Sequence, residues 1–213
     1  MKKLLLSSLF VLPLIFNAQQ KFSIIPSVGY AWRTAKTVDG LSAEEKDYVK
    51  KLKSGLNFDI SAYYHLKPEI GIGLKFSSFS SSSNGTIIIN EYTDEAFYGK
   101  VTTKDKITFF GPAFMYSNFG VATKHKLYYD IGLGMITYTS DTNGIVSKGS
   151  NLGLDANLAY QYEVSDRFYI GPKLGYTVGT LTKVKVNGQS YDLGDNKEGL
   201  GRISLALSAT IRL

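Results

Sequence analysis

Cysteine is missing from all 213 residues. That absence excludes a disulfide framework, a thiolate metal site, a cysteine nucleophile and a lipid-modified cysteine anchor. Histidine is scarce as well: His65 and His125 are the only two, so a serine hydrolase would have to recruit one of them as its base. Both stand beside expected short turns, far apart in the chain, and read as surface residues. No zinc-ligand cluster, phosphate-binding glycine loop or paired-carboxylate motif occurs in a recognisable context. No cofactor or metal is expected. The formal net charge of +6 falls to +4 once Lys2 and Lys3 are set aside, and the other basic residues are scattered among acids. Nucleic-acid binding needs a concentrated basic face, and none is present.

Long apolar runs are missing too, with one exception at the start. Lys2 and Lys3 precede an apolar run from Leu4 to Phe16, broken only by Ser7 and Ser8, and the small residue Ala18 follows. This is the pattern of a secretory signal peptide over residues 1–18, leaving 19–213 as a single domain. The run is shorter than the roughly 20 residues a helix needs to cross a bilayer, and Pro13 interrupts it. Past residue 20 nothing approaches that length. A mature chain that spans a membrane must therefore do so with strands.

Aromatics and glycine, by contrast, are abundant: Tyr 15, Phe 12 and Gly 21. They fall in segments that alternate apolar and polar with a period of two, the side-chain period of a strand. From Arg202 to Leu213 the odd positions are Ile203, Leu205, Leu207, Ala209, Ile211 and Leu213. The even ones are Arg202, Ser204, Ala206, Ser208, Thr210 and Arg212. The same alternation marks Leu152 to Tyr162 and Phe168 to Val178. It recurs in Phe22 to Trp32, Leu56 to Tyr64, Ile70 to Phe76, Thr108 to Tyr116 and Leu127 to Met135. Each of these eight segments supplies about the 9 to 11 residues that a tilted strand needs to cross a bilayer.

The links between them sort by length. Short turns fall at Leu66–Pro68, around Asn118–Lys124, and at Val164–Asp166. Longer polar links fall at Thr34–Ser54, Ser78–Lys104, Ser140–Gly149 and Lys183–Gly199. Short and long links alternate strictly, as in an up-and-down barrel with both termini on one side. The expected fold is therefore all-β, an eight-stranded antiparallel up-and-down transmembrane β-barrel. Within the long links, Ser42 to Glu45 forms a capping-box sequence that starts a short helix toward Leu52. Ser77 to Asn84 reads as a mobile serine-rich segment, and Thr86–Tyr92 with Phe97–Thr103 prolong their strands.

Tyr and Trp favour the membrane–water boundary. Tyr64, Tyr116, Tyr129, Tyr160 and Tyr162, with Phe22, Tyr63, Tyr128, Phe168 and Tyr169, lie near the short turns or the chain start. Tyr30 and Trp32, with Phe76, Phe79, Phe109, Phe110 and Tyr138, lie near the long links. Two aromatic girdles follow, with Tyr30, Trp32, Tyr64, Tyr116, Tyr129, Tyr160 and Tyr162 as the membrane-interface aromatics.

Gly111-Pro-Ala-Phe-Met-Tyr116 followed by Leu127-Tyr-Tyr-Asp-Ile-Gly-Leu-Gly134 resembles paired strands of the small outer-membrane β-barrel family, the OmpA/OmpX-type, porin-like group. Ile170-Gly-Pro-Lys-Leu-Gly-Tyr176 and Pro26-Ser-Val-Gly-Tyr30 are similar to other strands of such proteins. The resemblance covers the whole mature chain and is architectural. Members commonly end in an aromatic residue, where this chain has Leu213. The resemblance implies the bacterial outer membrane, with short turns and both termini in the periplasm and the long loops outside.

Charges on the inward parity are the most informative site candidates. Asp59, Lys75, Asp130 and Lys173 share a level near mid-membrane, and Asp155, Arg33 and Arg202 extend the polar interior toward the long-loop end. Opposite charges inside so narrow a barrel should pair, as a structural plug or as part of a conduit. Gly71-x-Gly73 and Gly132-x-Gly134 sit within strands, where they make room for larger neighbours. The expected function is a non-catalytic barrel serving envelope structure or surface interaction. The alternatives are porin-like transport of small or apolar solutes, and a lipid-modifying enzyme. Expected partners are outer-membrane lipid and lipopolysaccharide, with an extracellular ligand possible through loops 34–54 and 78–104. The barrel is expected to act as a monomer.

Overall fold

The computed structural model describes residues 21–37, 40–90, 97–194 and 197–213; the expected signal peptide lies outside them. The long strands are β1 (Phe22–Arg33), β2 (Ser54–Lys67), β3 (Ile70–Asn90), β4 (Phe97–Ser117), β5 (His125–Thr142), β6 (Ile145–Ser165) and β7 (Phe168–Leu181). Three short strands follow, β8 (Lys183–Val186), β9 (Gln189–Asp192) and β10 (Glu198–Gly199), before the closing strand β11 (Arg202–Arg212). One helix, α1 (Ala43–Leu52), lies between β1 and β2.

Each long strand pairs antiparallel with its sequence neighbour, and β11 pairs with both β7 and β1. The ring is thus β1 to β7 plus β11, eight strands with no free edge, which satisfies the wall's backbone groups inside a membrane. Alternation does the rest. Even positions of β2 face outward (Leu56, Phe58, Ile60), whereas Asn57, Asp59 and Ser61 are buried inside. The same holds in β5, where Leu127, Tyr129, Ile131, Leu133 and Met135 are exposed and Lys126, Tyr128 and Asp130 are buried. The exposed wall is therefore apolar and the ionic groups are internal, the inverse of a soluble barrel. Among the described residues, no helix is long and apolar enough to cross a membrane.

The short links are as expected, but two of the long ones are not loops. β3 and β4 pair from Ile70↔Tyr116 up to Asn90↔Phe97, so Ser77 to Asn84 is strand and not a free serine-rich segment. Tyr92 and its neighbours in 91–96 fall outside the described residues. Likewise β5 and β6 continue to Thr142↔Ile145 and turn on Asn143-Gly144, both at positive φ (50° and 87°). Asn187-Gly188 does the same between β8 and β9, at 49° and 88°. Asn-Gly is the favoured pair for such two-residue turns. Above the apolar band the strands persist while their outward residues become Ser, Thr and Lys, so the hydropathy alternation fades although the ladder continues.

Ser42 caps α1 as expected: its Oγ accepts from the Glu45 backbone N–H at 3.2 Å, and its own N–H donates to the Glu45 carboxylate at 2.8 Å. Those bonds hold the Glu45 carboxyl below the usual carboxylate range. The helix packs along β3. Its Tyr48 hydroxyl donates to Thr103 Oγ1 at 2.5 Å, and the Ser81 hydroxyl donates to the Leu52 carbonyl at 2.7 Å.

Candidate functional site

Strand parity brings the predicted inward charges together at the middle of the barrel. Lys75, on β3, contacts Asp130 of β5 and lies 2.7 Å from Asp155 Oδ1 of β6. Lys173, on β7, donates to Asp59 Oδ2 of β2 at 2.7 Å. Neutral donors complete the set. Asn157 Nδ2 donates to Asp130 at 2.9 Å and to Asp155 at 3.0 Å, Thr177 donates to Asp155 at 2.6 Å, and Ser27 and Asn57 donate to Asp59 at 3.0 and 2.9 Å. Arg202 donates to Ser77 Oγ from β11. Three carboxylates thus face two ammonium groups and one guanidinium, which leaves the layer formally neutral. Desolvating an ion costs several kcal/mol, and dense pairing with extra hydrogen bonds offsets that cost.

Arg33 stands apart from this layer, nearer the long-link end. It contacts Glu198 and donates to the Gly199 carbonyl at 2.9 Å, lies 3.5 Å from Asp105, and stacks over the Tyr138 ring at 5.6 Å. Asp105 and Glu198 are additions to the expected set. Asp105 carries the inward parity of β4 and is readable from it, whereas Glu198 arrives on the two-residue strand β10, inside the expected long link 183–199.

Two apolar layers bracket the ions, and they correct the expected girdles. Phe79 and Phe109 are fully buried inside the barrel with Ile107, Ile136 and Leu181, while Tyr138 packs against them. At the other end Tyr63, Tyr128 and Tyr169 also point inward, packing with Met115 and Phe119. Parity overrides the boundary preference: these rings sit on the lumen side of their strands, even where, as at Phe79 and Tyr138, the adjacent outward positions are only Ser or Thr. Gly132 makes the room expected of it, since a Cβ there would stand 3.3 Å from the Phe109 ring. The other predicted aromatics do face outward and remain exposed: Tyr30, Trp32, Tyr64, Tyr116, Tyr129, Tyr160 and Tyr162. Tyr30 packs edge-on against Trp32 at 5.3 Å, and Tyr116 stacks on Tyr129 at 5.4 Å.

Each apolar layer is closed by a residue from a connection. Phe119, in the β4–β5 turn, folds into the barrel against Tyr128 and Tyr169, and Arg212 lies over its ring at 5.7 Å. Leu200, just before β11, is fully buried in the opposite layer. Beside the Phe119 layer, Lys126 lies over the Tyr169 ring at 5.3 Å and pairs with Glu163 at 2.8 Å. Lys126, Glu163 and Arg212 are legible from parity, but Phe119 and Leu200 obey no strand pattern.

The histidines divide. His125 is exposed, within 2.6 Å of the Tyr160 hydroxyl. His65 is not a surface residue: it carries the inward parity of β2 and is buried, 2.7 Å from Ser23 Oγ. A serine–histidine contact invites a hydrolase reading, but His65 Nδ1 has no hydrogen-bond partner among the described residues, so no third group orients the ring as a base. Ser23 is also fully buried. Among the described residues, no group of three or more His, Asp or Glu side chains could hold a metal ion.

No family model and no curated protein matches this chain. Solved structures do. Neisserial surface protein A matches with a TM-score of 0.56 at 15% identity, over 91% of this chain and 97% of that one. The outer membrane protein OprG from Pseudomonas aeruginosa matches with 0.52 at 12%, over 90% and 96%. A major outer membrane protein from Thermus thermophilus matches with 0.50 at 11%, over 90% and 98%. At these identities the likeness concerns architecture, and with the closed ring, apolar wall and ionic interior it gives one answer: this chain has the fold of the small eight-stranded outer-membrane β-barrels.

Proposed function

We propose that the chain is an integral protein of the bacterial outer membrane, without catalytic activity or a standing pore, that serves envelope structure and surface contact through the extensions at its long-link end. The observation that carries this reading is the filled interior. Apolar, ionic and apolar layers succeed one another from Phe119 to Leu200, contributed by facing strands around the ring. An eight-stranded barrel is just wide enough for its own side chains to fill it. What remains to meet a partner is the end where the β3–β4 hairpin, with α1 packed along β3, and the β5–β6 hairpin rise beyond the apolar band. In this reading the short turns and both termini face the periplasm, and the seven inward charges Arg33, Asp59, Lys75, Asp130, Asp155, Lys173 and Arg202 hold the wall together and pass no solute.

Planar-bilayer recording tests the proposal. The purified protein should insert without a steady unitary conductance. A reproducible open channel would overturn the sealed-interior reading and favour solute transport.

A further inference from the structure

On the outside of the barrel, the wall between β6 and β7 is notched at its upper end. β7 pairs with β6 only as far as Gly153↔Gly179, and β8 rejoins β6 at Lys148↔Lys185 and Ser147↔Val186. Between these two ladders Asn151 Nδ2 donates to the Thr180 carbonyl at 2.6 Å, bridging the gap with a side chain. Gly149 keeps the approach tight, since a Cβ there would lie 2.8 Å from the Lys183 carbonyl. The notch is lined by Met135, Thr137, Lys148, Ser150, Lys183 and Lys185. Lys106 stands one strand further round, because it pairs with Thr139, which in turn pairs with Lys148.

Charge in this sector is one-sided. Of the nearby acids, Asp192 lies 3.9 Å from Lys183 in an exposed contact of little strength, and Asp141 is paired in register with Lys104. Lys106, Lys148 and Lys185 form no ion pair among the described residues. Immediately below, the wall is apolar and open: Met135, Leu152, Leu133 and Leu154 are all exposed. Two strand interfaces round the ring at this end, on the β11–β1 pair, the outward residues are Trp32 and Ile203, a paired couple without a cation. A basic notch that borders an apolar wall is complementary to an anion tethered to hydrocarbon.

We infer that this notch binds the phosphate of an anionic membrane lipid. Lys148, Lys183 and Lys185 supply the cationic donors, and the acyl chains run down over Met135 and Leu152. The site stands independently of any partner of the upper hairpins.

Native mass spectrometry of the full-length barrel released from detergent, with equimolar phosphatidic acid and phosphatidylcholine present, tests the site. The wild type should retain the anionic lipid about tenfold over the zwitterionic one, in line with the attraction of clustered lysines to anionic lipid surfaces. The triple variant K148Q/K183Q/K185Q should lose that preference, while K46Q/K50Q/K51Q on α1, which removes as much charge elsewhere, should keep it. Absence of a preference in the wild type, or equal loss in both triple variants, would overturn the proposal. So would displacement of the lipid by excess inorganic phosphate, which would mark a simple anion site. Because all six lysines are on the surface, the variants should keep the wild-type unfolding midpoint, and that measurement confirms they are folded.

Discussion

The two ion clusters inside the barrel use the same chemistry at different depths. In the central layer the side chains of Lys75, Asp130, Asp155, Lys173 and Asp59 are all at most 4% exposed. In the upper cluster Arg33 and Asp105 are nearly as deep, at 6% and 4%, but Glu198 is 42% exposed. Water screens the second cluster and cannot reach the first. Pairing at the centre is thus a condition for folding in the membrane, whereas pairing at the rim mainly positions the loop that delivers Leu200. Losing one partner from a sealed pair strands a charge without solvent, which costs far more than the pair itself contributes.

Removing Lys75 should break this contrast most severely. Lys75→Met leaves Asp130 and Asp155 facing each other without their cation, and should lower stability by about 3 to 5 kcal/mol, read as the urea midpoint of the barrel in lipid vesicles. Phe119→Ala, which empties the turn-borne cap, should cost about 3 kcal/mol in the same assay, because its ring fills a buried layer. Ser42→Ala should cost about 1 kcal/mol locally. Amide exchange in α1 should accelerate while the barrel's midpoint stays in place. Glu198→Gln should be smallest, at about 0.5 kcal/mol for a half-exposed pair. A Glu198→Gln loss equal to that of Lys75→Met would show that depth does not set the weight of these pairs.

Much of this architecture is legible in the residues. A period of two over 10 or so residues states both that a strand forms and which face each side chain takes. Asp59, Lys75, Asp130, Asp155 and Lys173 can therefore be set inside together before any coordinates. The same rule, applied consistently, also holds Asp105, Lys126, Glu163, Arg212 and His65. Asp105 is harder to see because its outward neighbours Lys104 and Lys106 are polar, whereas Lys126, Glu163, Arg212 and His65 lie at strand ends beside the short turns, where the alternation stops. Thr86 onward and Phe97–Thr103 do read as prolonged strands, but Ser77–Asn84 and the upper β5–β6 hairpin are hidden by polar outward residues, although Asn143-Gly144 and Asn187-Gly188 announce turns. Phe79, Phe109 and Tyr138 mislead in the opposite direction, because composition near a boundary suggests a girdle where parity points inward. Phe119 and Leu200 are beyond reach. Connections carry no period, and their burial depends on the space left by strands distant in sequence.

The central claim is that the outward parity meets lipid and the inward parity does not. Trp32 is the only tryptophan, and it faces outward at the upper edge of the apolar wall. The most direct test is fluorescence quenching by lipids brominated at different depths, with the native Trp32 compared against Leu133→Trp in a Trp32→Phe background. Trp32 should be quenched best by bromine near the headgroups, and the tryptophan at 133 best by bromine near the bilayer centre. Emission from position 133 that is water-like and unaffected by bromine at any depth would contradict a lipid-facing wall.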